Sequence, residues 1–189
     1  ASDAFGKVLV SCDFNRDGFD DVAVGIPAEN VGSISNAGAV QVHYGRNGSF
    51  PGFGSEFFTQ NTAGIPGDAE EFDNFGYSLA CGDFDDDSFD DLAIGVPFED
   101  LGGSIFAGMI VILPGFSGGL ASDFAYSIDQ DSSGVDGSPE ETDFFGESLA
   151  TGDFDGDGFA DLAIGVPGED ESVGAVQILF GSASGPNGA

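Results

Sequence analysis

Short apolar runs bounded by glycine, proline or acidic residues recur along the whole chain. The clearest runs lie at 92–96, 107–113 and 174–180, and all three are rich in branched residues. Such runs between turn-forming residues are typical of buried β-strands. No apolar period of 3.6 residues continues for ten residues, so helix is expected to be scarce. The pattern therefore predicts an all-β protein.

The apolar runs belong to a larger unit that occurs three times. In each copy a Phe-Gly pair precedes an acidic loop, an apolar run follows the loop, and a Gly-x-Pro sequence ends the run. The loops begin at Asp13, Asp83 and Asp153, so both steps are 70 residues long. A fixed period of this size is typical of an array of like supersecondary units.

Each repeat is predicted to form one blade of a β-propeller, because four short strands separated by glycine-containing turns are typical of such blades. In the first repeat the third and fourth strands are predicted at 38–44 and 56–60. The four strands of the second repeat are predicted at 77–82, 92–96, 107–113 and 124–128, and the third strand of the last repeat at 174–180. The expected blades span 1–70, 71–140 and 141–189. The last is expected to lack its fourth strand, because residues 181–189 are rich in turn formers.

Three blades cannot close a ring, since closed propellers have about four to eight. The open arc would expose apolar faces and an unpaired strand edge. The sequence therefore predicts a homo-oligomer. A two-fold pair would make a six-bladed ring, and head-to-tail contacts would make a filament in which one chain completes the next chain's blade.

The third acidic loop shows the predicted cation ligands most clearly. It places Asp153, Asp155, Asp157 and Asp161 at its first, third, fifth and ninth positions, and these carboxylates crowd together only around a cation. A flexible set of oxygen ligands suits Ca²⁺, which takes six to eight of them. An EF-hand begins in the same way but needs glutamate at position twelve, where this loop has Ile164. The loop is therefore predicted to join two strands and to bind calcium.

The order of Phe-Gly, acidic loop and Gly-x-Pro resembles the FG-GAP repeats of integrin alpha-subunit β-propellers. The resemblance implies an extracellular propeller with one calcium site in each loop between the first and second strands of a blade. The implied ligands, with the phenylalanines acting through their carbonyl oxygens, are Asp13, Asn15, Asp17, Phe19 and Asp21; Asp83, Asp85, Asp87, Phe89 and Asp91; Asp153, Asp155, Asp157, Phe159 and Asp161.

Two departures make the three sites unequal. Ser88 stands at a position where the other loops have glycine, and a side chain there opposes the positive φ that the turn needs. Asn15 replaces a carboxylate in the first loop. The third site is therefore expected to be the tightest. Asp20 and Asp90, at position eight, are expected to lie outside the ligand sets, because Ala160 replaces them in the third loop.

Phenylalanine accounts for 20 residues, and part of this set recurs with the repeat. We expect the phenylalanines at the second and seventh loop positions to wedge between blades. They are Phe14, Phe19, Phe84, Phe89, Phe154 and Phe159.

The charge excludes several classes of partner. Three basic residues against 34 acidic ones give a net charge of −31, which excludes a nucleic-acid-binding surface. No apolar run is long enough for a membrane span. Because so much negative charge repels itself, bound calcium is expected to stabilise the fold.

Cys12 and Cys81 occupy positions that differ by one residue between the first two repeats. A one-residue offset reverses the direction of a side chain on a strand. We therefore expect two small buried thiols and no disulfide, although two cysteines can pair in an oxidising compartment.

The sequence favours a protein without catalytic residues. A carboxylate bound to calcium is a poor general acid for glycoside hydrolysis, and His43, the single histidine, occupies an apolar-pattern position on a predicted strand. Two functions remain open. One is an extracellular structural or adhesion module that binds calcium and meets a protein or glycan ligand. The other is the non-catalytic propeller portion of a larger secreted enzyme.

Overall fold

The computed structural model describes residues 3–48 and 54–186. Three antiparallel sheets follow one another along the chain, and each corresponds to one repeat. Blade 1 contains β1 (Val8–Cys12), β2 (Asp21–Ile26), β3 (Ala39–His43) and β4 (Ser55–Phe58), paired in that order. His43 is half-buried at the end of β3, opposite Val22 and Ser55 on the neighbouring strands.

Blade 2 has the same meander with one insertion. Its strands are β5 (Ser78–Gly82), β6 (Asp91–Val96), β7 (Met109–Leu113) and β10 (Tyr126–Ile128). The small hairpin of β8 (Gly115–Phe116) and β9 (Gly119–Leu120) and a 3₁₀ turn at Ser122–Phe124 lie between β7 and β10. Neither the hairpin nor the turn was predicted, because segments of two or three residues carry no periodic signal.

Blade 3 has three strands in the described part of the chain. They are β11 (Ser148–Gly152), β12 (Asp161–Val166) and β13 (Ala175–Leu179), and a single helical turn, α1 (Glu169–Ser172), precedes β13. The prediction of an all-β fold with a three-stranded last blade is confirmed. Most of the predicted strands are one or two residues too long, because glycines and turn residues at their ends leave the sheets, whereas 92–96 is one residue shorter than β6.

Blade 2 packs against blade 1 with one face of its sheet and against blade 3 with the other. Met109, Val111 and Leu113 of β7 belong to the core between blades 1 and 2, whereas Ile110 and Ile112 belong to the core between blades 2 and 3. Successive side chains of a strand point to opposite faces, so every residue of this run is buried. Alternate side chains of β7 thus pack against blade 1 and blade 3, and the blades lie face to face.

Cys12 of β1 and Cys81 of β5 form a disulfide across the first interface, with their Cα atoms 6.4 Å apart. The expectation of two free thiols is wrong, because it treated equivalent positions as facing positions. Blade 1 meets blade 2 through one face, and blade 2 meets blade 1 through the opposite face. Side chains that face each other across the interface therefore come from positions that differ by one residue within the repeat. The two cysteines are 69 residues apart, one less than the repeat length of 70.

The phenylalanines predicted to wedge between blades differ in burial. Phe14 and Phe84 are fully buried in the first and second interfaces. Phe154, their equivalent in blade 3, is 51% exposed, because no further blade among the described residues covers that face. Phe19 is also exposed and lies beside Gly45 of its own blade. The wedge prediction is therefore wrong for Phe154 and Phe19.

Candidate metal centre

The three acidic loops join the first and second strands of their blades, and the strand register closes each loop. The residue just before each loop pairs with the ninth loop residue, as Cys12↔Asp21, Gly82↔Asp91 and Gly152↔Asp161. The loop must therefore reverse the chain within eight residues. Its first and ninth side chains start from adjacent strands, which brings the ends of the predicted ligand set together.

The second loop folds around its own carboxylates. The N–H of Asp87 donates to Oδ1 of Asp83 at 3.1 Å and to Oδ1 of Asp85 at 3.2 Å. The N–H of Ser88 donates to Oδ2 of Asp83, and that of Phe89 donates to Oδ1 of Asp87. These bonds fix the first, third and fifth side chains so that their oxygens point inward.

The first loop repeats this arrangement, and the third repeats most of it. The N–H of Asp17 donates to Asp13 and to the amide oxygen of Asn15, both at 3.0 Å. Asn15 thus supplies its oxygen where the second loop has a carboxylate. In the third loop, Asp153 accepts from Gly156 at 2.7 Å instead of from the fifth residue. Local hydrogen bonds from the backbone therefore orient the ligand side chains at the first and third positions of all three loops.

The ninth carboxylate is the buried anchor of each loop. One oxygen accepts from the N–H of the second loop residue, and the other accepts from a glycine beyond the third strand. The acceptors and donors are Asp21 with Phe14 and Gly45, Asp91 with Phe84 and Gly115, and Asp161 with Phe154 and Gly181. Each of these glycines lies against backbone, so a side chain there would push the strand away from the loop.

Burial changes the acidity of these anchors. It raises the pKa of Asp21 to about 6 and that of Asp91 to about 7, and neighbouring loop carboxylates add to both shifts. Burial also raises the pKa of Asp85. A bound cation would act in the opposite direction, because it favours the ionised form. The loops therefore hold more negative charge than they tolerate without a counter-ion.

The predicted ligands converge to different degrees. Carboxylate oxygens of Asp83, Asp85 and Asp87 lie within 4.8 Å of one another, and so do oxygens of Asp153, Asp155 and Asp161. Within the described residues the first loop forms no such acidic triad, since its third position is an amide. The remaining members, Asp91 and Asp157, stay in their loops outside these triads.

The phenylalanines at the seventh position are held by their N–H groups. Each donates to the fifth side chain, and the donors and acceptors are Phe19 to Asp17, Phe89 to Asp87 and Phe159 to Asp157. That their carbonyl oxygens act as ligands stays a prediction. The donor set as a whole consists of carboxylate and amide oxygens, which fits the preference of a hard cation such as Ca²⁺.

The backbone of the loops confirms the predicted difference at position six. Gly18 and Gly158 have φ values of +88° and +102°, and Ser88 is held at +75°. The fourth position also has positive φ, with Arg16 at +55°, Asp86 at +59° and Gly156 at +83°. Only the third loop has glycine at both positions, so its turn forms without a side chain opposing it.

Sequence reasoning missed the contacts between neighbouring loops. Asp90, expected to lie outside the ligand sets, accepts a hydrogen bond from the N–H of Asp13 in the preceding loop. Arg16 of the first loop lies over the ring of Phe89 in the second, 6.0 Å from its centroid. No spacing within a single repeat reveals these pairs, because they form between blades.

A second set of acidic contacts crosses the blade interfaces at the opposite strand ends. The amide of Gln60 donates to Glu99, and that of Gln130 donates to Glu169. Both pairs are 39 residues apart, and the second follows the first by the same 70-residue step. That periodicity could have revealed them in the sequence.

Comparison with known proteins agrees with this architecture. The family model for the FG-GAP repeat matches residues 5–43, 75–113 and 145–179. Integrin alpha-5 of Xenopus laevis is 41% identical over 89% of this chain and 15% of its own length. Integrin alpha-PS5 of Drosophila melanogaster is 34% identical over 87% of this chain and 15% of its own length.

A relative of another kind shares the repeats. Phosphatidylinositol-glycan-specific phospholipase D of Dictyostelium discoideum is 33% identical over 94% of this chain and 20% of its own length. The chain thus spans no more than a fifth of these three proteins. Among the described residues, no helix is long and apolar enough to cross a membrane. Three matched repeats that coincide with three consecutive blades show that this chain belongs to the FG-GAP repeat family.

Proposed function

We propose that the chain is a calcium-binding module of an extracellular structural or adhesion protein, in which one ion in each acidic loop stabilises a blade. The convergence of Asp83, Asp85 and Asp87 carries this proposal, because three carboxylates with oxygens inside 4.8 Å repel one another strongly without a cation. The ligand set of each loop is the one given above, from the first to the ninth position.

Calcium would have a structural role at these loops. Each loop links the first two strands of a blade, so an ion held by the first and ninth residues would hold the strand ends together. The ion binds the native arrangement and not the unfolded chain, and it therefore adds RT ln(1 + [L]/Kd) to the free energy of unfolding. Its charge would also offset part of the net charge of −31.

The disulfide supports an extracellular location. Disulfides persist in oxidising compartments and are rare in reducing ones. The bond joins two blades across 69 residues, and its two cysteines pack in the first blade interface. A secreted or cell-surface protein fits this feature and the calcium concentration outside cells.

We further propose that the exposed blade faces are covered by a second copy of the chain. Leu9 of blade 1 is 60% exposed, whereas its equivalent Leu79 is buried between blades. Val176 of blade 3 is 69% exposed, whereas its equivalent Ile110 is buried. The same positions therefore change from core to surface where the described residues contain no neighbouring blade. A closed ring and a head-to-tail filament both satisfy this requirement.

A second candidate function follows from the phospholipase D relative. Its 33% identity over 94% of this chain shows that such blades also occur within an enzyme's sequence. The chain would then be the non-catalytic propeller portion of a larger secreted enzyme. In either case we propose that the described blades are not catalytic, that their acidic clusters serve as metal ligands, and that their surface meets a protein or glycan partner.

Thermal unfolding tests the calcium proposal. We expect the melting temperature of chelator-treated protein in low-salt buffer to rise on addition of millimolar Ca²⁺ and to rise less with Mg²⁺, which dehydrates reluctantly. A protein carrying Asp87→Ala should lose part of the rise. A melting temperature that stays the same with chelator and with calcium would contradict the proposal. Light scattering of the same samples tests self-assembly, which a stable 19.2 kDa monomer would rule out.

A further inference from the structure

The first two acidic loops are joined by a carboxylate that belongs to neither predicted ligand set. Asp90, at the eighth position of the second loop, accepts a hydrogen bond from the N–H of Asp13 with a donor–acceptor distance of 3.0 Å. The N–H of Asp90 lies 3.5 Å from the carbonyl oxygen of Asp13. Asp90 therefore holds the backbone of the residue that begins the first loop.

That backbone position governs the first metal site. The side chain of Asp13 accepts hydrogen bonds from Asp17 at 3.0 Å and from Gly18 at 2.8 Å. Asp13 is thus the residue around which the first loop closes, and a shift of its main chain would move the first and fifth ligands together. The bond from Asp90 fixes that main chain from the neighbouring blade.

The contact between the second and third loops lacks such a carboxylate. Ala160 stands at the eighth position of the third loop, and the N–H of Ala160 donates to the carbonyl oxygen of Asp83 at 3.0 Å. The hydrogen bond between the two backbones is therefore present between the second and third loops. The hydrogen bond to a side-chain carboxylate is not, because alanine has none. Arg16 and Phe89 add a further contact between the first and second loops, and Asp86 takes the place of Arg16 at the next interface.

The placement of Asp90 is electrostatically costly without cations. Its carboxylate lies at the backbone of Asp13 in the first loop and is one residue from Asp91 in the second, so it adds negative charge beside both predicted ligand sets. A cation in either loop would reduce this repulsion and would favour the arrangement in which Asp90 holds Asp13. Because linkage is reciprocal, an ion in the second loop would then strengthen binding in the first, and the reverse.

We propose that Asp90 is a positioning residue for the first calcium site and couples it to the second site, while the third site binds independently of such a carboxylate. This inference rests on the proposed binding of calcium by the loops. Asp90 is not itself a ligand in this account. It acts through its hydrogen bond to the main chain of Asp13.

The test follows each site separately in the full chain. Backbone amide signals of Gly18, Ser88 and Gly158 in ¹H–¹⁵N NMR spectra report the three loops during a titration with Ca²⁺. In Asp90→Ala we expect the affinity of the first loop to fall about tenfold, within the range of typical coupling effects. The affinity of the third loop should stay within about twofold of the wild-type value.

Two control variants separate the hydrogen bond from charge and from misfolding. Asp20→Ala removes the same charge from the eighth position of the first loop, where the side chain accepts a hydrogen bond from Ser11 of its own blade at 3.4 Å. It should leave the first site within about threefold of wild type. Asp90→Asn keeps an oxygen that accepts from Asp13, so it should also preserve the first site.

A double-variant cycle tests the coupling itself. Asp87→Ala, which disables the second loop, should weaken the first site about fivefold in the wild-type background and not at all beside Asp90→Ala. An unchanged first site in Asp90→Ala, or equal losses in Asp90→Ala and Asp20→Ala, would overturn the inference and leave calcium binding intact. If no loop of the wild-type protein responds to calcium, the proposed function itself is wrong.

Discussion

Cys12 and Cys81 connect the innermost strands of blades 1 and 2, and their one-residue offset between repeats is what makes them face each other. At the second interface the corresponding positions are Gly82 and Thr151, and the hydroxyl of Thr151 donates to the carbonyl oxygen of Cys81 at 3.0 Å. The first interface is therefore covalently fixed, and the second depends on packing and hydrogen bonds.

Removing the disulfide should destabilise the protein. A crosslink across 69 residues restricts the unfolded chain, so we expect Cys12→Ala with Cys81→Ala to lower the free energy of unfolding by about 2–4 kcal/mol. Urea unfolding in saturating calcium measures the loss. Wild-type protein unfolded with a reducing agent is the control and should match the double variant. No difference between oxidised wild type and the double variant would contradict the stabilising role.

Ser88→Gly should stabilise the second loop. Ser88 is held at a φ of +75°, where a Cβ costs roughly 1 kcal/mol or more, and glycine removes that cost. We expect the free energy of unfolding to rise by about 1 kcal/mol. The reverse change, Gly158→Ser in the third loop, should lower it by a similar amount. A decrease in stability for Ser88→Gly would show that the serine side chain has an unrecognised role.

The three sites should differ in affinity, with the third the tightest. Its fourth and sixth positions are both glycine, and all its side-chain ligands are carboxylates, whereas the first loop has Asn15. Asp157→Ala should therefore reduce calcium-dependent stability more than Asp17→Ala, the change at the same loop position. Melting temperatures in calcium and in chelator measure both losses. A larger loss for Asp17→Ala would contradict the ranking.

Glu99 should make stability depend on pH. Burial between the first two blades raises its pKa from 4.5 to about 7, and Asp73, Glu70 and Asp100 add repulsion while Gln60 donates a hydrogen bond. A carboxyl with a raised folded-state pKa stabilises the fold fully below its unfolded value. That contribution is lost as pH rises through about 7.

The variant Glu99→Gln cannot ionise, so it should keep this stability at high pH. We expect it to exceed wild type by on the order of 2 kcal/mol at about pH 8, with the gap closing toward about pH 4.5. Urea unfolding in saturating calcium across this range measures the gap. Glu169→Gln, at the less buried equivalent position, should show a smaller gap. A pH-independent difference for Glu99→Gln would contradict the assignment.

Local features of the fold were predictable from the sequence, because one repeat contains them entirely. The strands around each loop, the positive φ at Ser88 and the three strands described in the last blade follow from apolar runs and turn residues. The disulfide, the bond between Asp90 and Asp13 and the exposure of Phe154 were not predictable in this way. Each depends on which blade face meets which neighbour, and a single repeat does not contain that information.

Counting the bound ions tests the central claim most directly. Calorimetric titration of chelator-treated, dialysed protein with Ca²⁺ should show three ions per chain. The triple variant Asp13→Ala, Asp83→Ala, Asp153→Ala removes the first ligand of every loop and should bind none of them. Uptake of no calcium by the wild-type protein, or the same uptake by the triple variant, would contradict the assignment of the three acidic loops as calcium sites.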